Sequence, residues 1–288
     1  YNWQIWNCKA YSLYTKACEE IDEKTAKERA AKIAAELPKL QLGNDFALES
    51  HMVESAESKS GTSVYSGFGE TKLNVLYDAE NVFFYTYTFN HISETGKTEK
   101  TLESHQWAYY DGGSFYVASS TTTNGETKST YTEKEMTKDA ASILFASYTA
   151  SVLITFKSAN DPSTYLNDID NAIEAMNGSK KSQAEAEGAS YSSKLFLGSD
   201  DEQSLYFEGS MDTSKSTAAE TQTYNVSMHG EQMFEYKQNH FIRSKVVSDM
   251  KSEASNGDYE KEYIAIESKA AYSKISRNYP NLSGYDVL

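Results

Sequence analysis

Five histidines, two cysteines and 42 carboxylates are the side chains of this 288-residue sequence that could do acid–base, nucleophilic or metal chemistry. Their spacing argues against most of it. His51, His91, His105, His229 and His240 show no HExxH or other helical ligand spacing and fall in strand-like or turn-like stretches. Cys8 and Cys18 make no CxxC and no Cys/His zinc pattern. On one continuous helix they would sit about 15 Å apart, beyond disulfide reach, so a bridge needs a bend between them. Asp168 and Asp170 lie in a helical pattern without the glycine of a calcium loop. Asp200, Asp201 and Glu202 read as a solvated turn. "SGFGE" (66–70) lacks phosphate-loop spacing, and there is no G-x-S-x-G nucleophile elbow. No spacing singles out two carboxylates for general acid–base work. The expectation is a protein that is not an enzyme and has no metal or other cofactor.

Aromatic residues carry the stronger signal. In "NVFFYTYTFNH" (81–91), Phe83, Tyr85, Tyr87 and Phe89 fall on every second residue. A strand sends alternate side chains to opposite faces, so four rings share one face. Trp107 and Tyr109, on a nearby strand pattern, would share it. Leu144 and Tyr148 sit on a central apolar segment that could roof it. One reading makes these eight residues ordinary core. The other makes them the wall of a cavity for acyl chains or another apolar ligand. Tyrosine suits such a wall because it joins apolar area to a hydroxyl that can meet a polar head group.

Composition limits the partners. The net charge is −15, and nucleic acid needs a basic footprint, so no nucleic-acid partner is expected. An anionic membrane surface would repel the chain as a whole. Arginine occurs only at Arg29, Arg243 and Arg277, too few for a clustered anion site of the bidentate kind.

The elements that must position the rings follow from periodicity. Ala26, Ala30, Ile33 and Leu37 recur at helical spacing, predicting an N-terminal helix over 19–37 that Pro38 ends. A period of two then predicts a first strand block over 46–132. Asp111-Gly112-Gly113 and Asn124-Gly125 supply tight hairpins. Central helices are expected over 133–177, opened by capping-box spacing at Thr132 and Glu135. The uncharged run "AASILFASYTASVLITF" (140–156) is apolar all round and slightly short for a bilayer span, so it reads as a helix buried on most sides. Asp161-Pro162 and Asn177-Gly178 bracket a second helix with Leu166, Ile169, Ile173 and Met176 on one face. After a polar linker, "GSKKSQAEAEGAS", a second strand block is expected over 189–272, with Asn256-Gly257 as another hairpin and Gly230 separating two strands. The tail beyond Tyr272 reads as irregular.

Each strand block needs a cover for its apolar face, and the helix between them can serve both. The expected fold is therefore α+β: a single large curved antiparallel sheet, a half-barrel of about 11 strands, in one unit spanning 1–288. An N-terminal helix and a central helical segment would cover its concave face.

That element order, with "KTAKERAAKIAAEL", the aromatic strand "NVFFYTYTF" and the helices at 133–176, resembles the LolA/LolB-like and LppX/LprG-like bacterial lipoprotein carriers across residues 19 to 272. In those carriers a curved half-barrel capped by helices holds acyl chains, with no catalytic residues to carry over. The resemblance implies a lipid or other apolar small molecule as ligand. It also implies an extracytoplasmic, cell-surface or membrane-anchored location, with a lipid anchor upstream of Tyr1 bringing the chain near a membrane. The competing expectation is a non-catalytic surface module with a filled core, binding protein or glycan through its tyrosine-rich faces.

Overall fold

The computed structural model describes residues 18–36, 46–78, 81–160, 170–171, 173–174, 178–219, 222–237, 241–271 and 277–288. The first strand block is a six-strand meander: β2 (Phe46–Ser60), β3 (Ser63–Tyr77), β4 (Val82–Glu94), β5 (Lys100–Asp111), β6 (Ser114–Thr123) and β7 (Glu126–Glu135). The second is a five-strand meander: β8 (Ser190–Ser199), β9 (Ser204–Ala219), β10 (Gln222–Lys237), β11 (Phe241–Ala254) and β12 (Tyr259–Ala271). Two-residue strands β1 (Glu19–Glu20) and β13 (Asp286–Val287) finish the edges.

The two blocks form one sheet because β12 pairs with β2 from Tyr259↔Lys59 to Ala271↔Ala47. The 13 strands run β1-β8-β9-β10-β11-β12-β2-β3-β4-β5-β6-β7-β13 and do not close. Every pairing is antiparallel except β13 with β7. Strand twist accumulates across a sheet, and one this wide curls rather than staying flat, so the sheet is open and curved. The expected hairpins are present. Gly112 and Gly113 turn β5 into β6, Asn124 and Gly125 turn β6 into β7, and Gly257 lies in the turn before β12. Asn124 and these glycines take positive φ, which tolerates few other residues.

Helices precede the first strand block and connect it to the second. In α1 (Glu23–Glu36), Asp22 is the N-cap: Thr25 N donates to its carboxylate at 2.7 Å, which holds that carboxyl below its usual range. Ala26, Ala30, Ile33 and Ala34 form its buried face, against Leu197 of β8 and Leu205 and Phe207 of β9. In α2 (Lys138–Asn160), Ala141, Phe145 and Thr149 are buried at four-residue spacing. Ala141 and Phe145 lie over Leu48, Val75, Val82, Ala108 and Phe115. Lys138 Nζ anchors the first turn by donating to Asp78 C=O at 2.6 Å while lying over the Tyr77 ring.

Several expectations need correction. The α2 cap is Thr137, whose hydroxyl accepts from Ala140 N, because β7 continues through Glu135 and uses the expected capping box as strand. α2 is not buried on most sides: Ile143 is 76% exposed and Leu144 and Tyr148 are also exposed. The linker after Gly178 forms α3 (Ser179–Ala186), since "SKKSQAEA" has no strong breaker. Gly230 does not split a strand; β10 runs through it, paired with Met211 and Ser248. Leu37 and most of the helix expected over 161–177 lie outside the described residues, although Ile173 packs against α1. No helix among the described residues is long and apolar enough to cross a membrane.

Candidate functional site

Strand alternation and register divide the molecule into two faces. On one, the helix side, lie Val75, Val82, Phe84, Ala108 and Phe115 beneath α2. On the other, the tail side, lie Leu76, Phe83, Trp107, Tyr109 and Ala118, joined by Leu282 and Tyr285 from the C-terminal segment. The expected aromatic face is the tail side.

The structure therefore separates the eight candidate residues. Phe83, Tyr109 and Trp107 are buried under residues 277–288. The Tyr279 ring meets Phe83 edge-on at 5.4 Å and Tyr109 at 4.9 Å. Trp107 Nε1 donates to Asn278 C=O at 2.9 Å. Tyr85 contacts Trp107 at 5.3 Å and its hydroxyl bonds His105 Nδ1 at 3.0 Å. Tyr87 contacts His105 at 5.0 Å, and Phe89 contacts Phe68 at 6.2 Å. These six side chains cannot line a hollow beneath α2, because they point through the opposite face of the sheet. Leu144 and Tyr148 are on the helix side, where Tyr148 leans on Phe115 at 6.0 Å.

Beyond residues 277–288, which form a strap over this end, the tail side carries polar clusters. Glu70 bonds both His51 at 2.8 Å and Lys72 at 2.9 Å. Burial alone would raise the Glu70 carboxyl, but these bonds outweigh it and hold it low. Arg243 pairs with Glu267 at 2.6 Å. A second cluster lies in an open groove of ≈ 470 Å³ lined by Ser192, Ser227, Asp249 and Lys251. There His229 Nδ1 meets Asp212 at 2.5 Å and Nε2 meets Glu231 at 3.0 Å. Carboxylates only accept, so both ring nitrogens donate and the imidazolium is favoured. Hydrogen bonds to Glu231 and Asp212 accordingly raise the His229 pKa. An imidazole held this way has no free nitrogen to act as a base. No group of three or more His, Cys, Asp or Glu side chains among the described residues is arranged to hold a metal ion.

The helix side is different. α1 and α2 cover only one end of it. Toward the hairpin end, paired residues run in rows across the strands: Met228–Met250–Glu262–Ala56–Gly67–Ile92, and Gly230–Ser248–Ile264–Glu54–Gly69–Asn90. Among the described residues of the long strands six large apolar side chains are exposed, and four of them, Ile92, Tyr224, Met228 and Ile264, face this side. An open groove of ≈ 310 Å³ lies among them, with Ile92, Ile264, Ala56 and Tyr65 in its lining. Gly67 and Gly69 shape it. A Cβ at Gly67 would sit 2.6 Å from the Tyr65 hydroxyl, and one at Gly69 would sit 2.6 Å from Glu54 Oε1. The neighbouring side chains thus fold over bare backbone. The signal was present in "SGFGE": glycines at i and i+2 of a strand clear one face.

Cys18 is disulfide-bonded and packs with Phe196, Tyr206 and Met233 on the tail side. Cys8, the other cysteine of the sequence, lies outside the described residues.

No family model matches the chain, and no curated protein matches it. Among solved structures it is similar to a β-barrel-like protein of a domain of unknown function from Brucella abortus, at 8% identity and a TM-score of 0.23, covering 76% of this chain and 97% of that one. The translocator domain of the autotransporter NalP from Neisseria meningitidis matches at 6% identity and a TM-score of 0.20, covering 84% and 93%. The β domain of the Bordetella autotransporter BrkA matches at 7% and 0.19, covering 80% and 100%. Likeness at this level does not distinguish a shared fold from shared strand content.

Proposed function

We propose that the chain is a non-catalytic binding protein that sequesters an apolar or lipidic ligand against the helix side of its open sheet, in the manner of the lipoprotein carriers it resembles. One observation carries this reading. Among the described residues the helix side is covered at one end only, and its uncovered end presents Ile92 and Ile264 in the lining of a groove, with Met228 exposed farther along the same face. Exposed strand residues that large are rarely left together on one face without an occupant. α2 would act as the lid, since its own outward residues Ile143, Leu144 and Tyr148 offer a second apolar surface. Lid movement would release the ligand. The disulfide at Cys18 fits an oxidising, extracytoplasmic compartment.

Two measurements test the reading. Native mass spectrometry of the purified protein should show co-purified apolar mass. Titration with N-phenyl-1-naphthylamine, an uncharged fluorescent probe, should saturate, and Ile264→Asp should weaken it about tenfold by placing a charge on the apolar wall. A clean apo mass with no probe uptake overturns it.

That outcome would favour a second reading, a surface module that binds protein or glycan. Its support is the uncovered half of the aromatic run, where Tyr85, Tyr87 and Phe89 remain partly exposed beyond the strap.

A further inference from the structure

We infer that the groove at Gly67 and Gly69 is a head-group subsite for a positively charged amphiphile, one ending in an amine or quaternary ammonium. This rests on the binding reading above and gives it a ligand class. Apolar wall and charge occur together here. Ile92, Ile264 and Ala56 supply area for a chain, while Glu54 and Glu262 place two carboxylates in the same lining, with Asn90 as a neutral polar neighbour. Among the described residues no lysine or arginine lines the groove. The two glutamates sit in adjacent rows of neighbouring strands, Glu54 opposite Ile264 and Glu262 opposite Ala56. Neither makes an ion pair among the described residues.

Register brings few cations to this corner. Lys100 stands opposite Ile92 across the β4–β5 pair, outside the lining. Lys97, in the adjoining turn, is already paired with Glu94 at 2.7 Å. Glu260, on the same face of β12, adds a further carboxylate opposite Ser58. An anionic head group would meet repulsion from both carboxylates without a compensating cation in the described lining. A cationic one would meet two carboxylates, with the Tyr65 hydroxyl oxygen beside them, a set of negative oxygens that attracts an ammonium group. Gly69 matters to this arrangement because it lets the Glu54 carboxylate lie along the groove floor, 2.6 Å from where a Cβ would be.

The experiment compares three probes with the same tail below their micelle concentrations: octyltrimethylammonium, octyl glucoside and octyl sulfate, by isothermal titration at about 0.15 M salt to screen long-range attraction. The cationic probe should bind about fivefold to tenfold tighter than the sulfate. Glu54→Gln with Glu262→Gln should erase that preference and leave octyl glucoside binding in place. Glu126→Gln with Glu135→Gln, the same charge change on remote β7, should keep it. Gly67→Val fills the groove against only the flexible end of Tyr65 and should weaken all three probes. An equal loss of preference in the β7 variant would mean bulk attraction to an acidic chain and overturn the inference. Equal binding of the three probes, still weakened by Gly67→Val, would overturn the head-group assignment while leaving the apolar reading intact. No binding by any probe would remove both.

Discussion

At the helix-covered end the two faces of β4 are both buried, by different means. On the helix side, Val82 and Phe84 sit under α2 with Ala108, Phe115 and Phe145, a mixed layer of small and large apolar groups. On the tail side, Phe83 and Tyr85 sit with Trp107 and Tyr109, an aromatic layer held by residues 277–288. A two-turn contact from a helix delivers methyls and one ring at four-residue spacing. An extended segment delivers backbone carbonyls as well, which is how the tail side accommodates the Trp107 indole N–H. The lesson is that this end of the sheet has two cores, and the aromatic one belongs to a segment with no regular structure except β13.

The largest expected effects test whether the two cores are separate. Phe83 and Phe145 are both fully buried, on opposite faces. Phe83→Ala and Phe145→Ala should each cost about 3–5 kcal/mol in urea unfolding. With a sheet between them and no shared partner, the double variant should cost the sum within about 0.5 kcal/mol. A large positive or negative coupling would mean that the sheet transmits packing between its faces and that one core is the better description.

A smaller effect isolates the strap. Trp107→Phe keeps one aromatic ring but removes the donor to the Asn278 carbonyl and part of the buried indole, so it should cost about 1–3 kcal/mol. It should also speed proteolytic removal of residues 277–288, while N-phenyl-1-naphthylamine binding on the helix side stays unchanged. Loss of probe binding would show that the tail side and the ligand face are coupled.

Strand alternation made the sheet legible. The run of Phe83, Tyr85, Tyr87 and Phe89 is a strand with a shared ring face, and the glycine and Asn-Gly turns mark true hairpins. The joining of two strand blocks into one sheet follows from the same need for cover that the sequence displays. The occupant of the aromatic face was not legible. "NVFFY" is apolar at consecutive positions, so periodicity could not say which of Phe83 and Phe84 meets a helix. That choice is made by contacts some 170 residues away in sequence, such as Trp107 with Asn278. α2 was misjudged for a related reason. Its apolar residues surround the axis, but burial follows what lies beside it, and among the described residues that is the sheet. Gly67 and Gly69 lack phosphate-loop spacing, and their meaning lies in strand alternation, which puts both on one face.

His229 gives the smallest effect and tests the polar half of the tail side. Its hydrogen bonds to Glu231 and Asp212 raise its pKa above the ordinary value of 6.5. A base that holds its proton more tightly when folded adds stability that is complete below the unfolded pKa and disappears as pH rises through the folded one. Glu208 acts in the same direction at lower pH, because burial raises its carboxyl. Glu70 acts oppositely: its lowered carboxyl adds stability above the unfolded value of 4.5 that is lost as pH falls through the folded one. The wild-type curve mixes all three, so the variant is needed. His229→Gln should flatten the fall in stability above about pH 6.5 and leave the acid limb unchanged, by well under about 1 kcal/mol because the imidazole is more than a third exposed. Binding of the uncharged probe should not follow this titration, since Asp212, His229 and Glu231 face away from the groove at Gly67. An alkaline slope that persists unchanged in His229→Gln would assign it to other groups, and a probe affinity that tracked it would break the independence of the two faces.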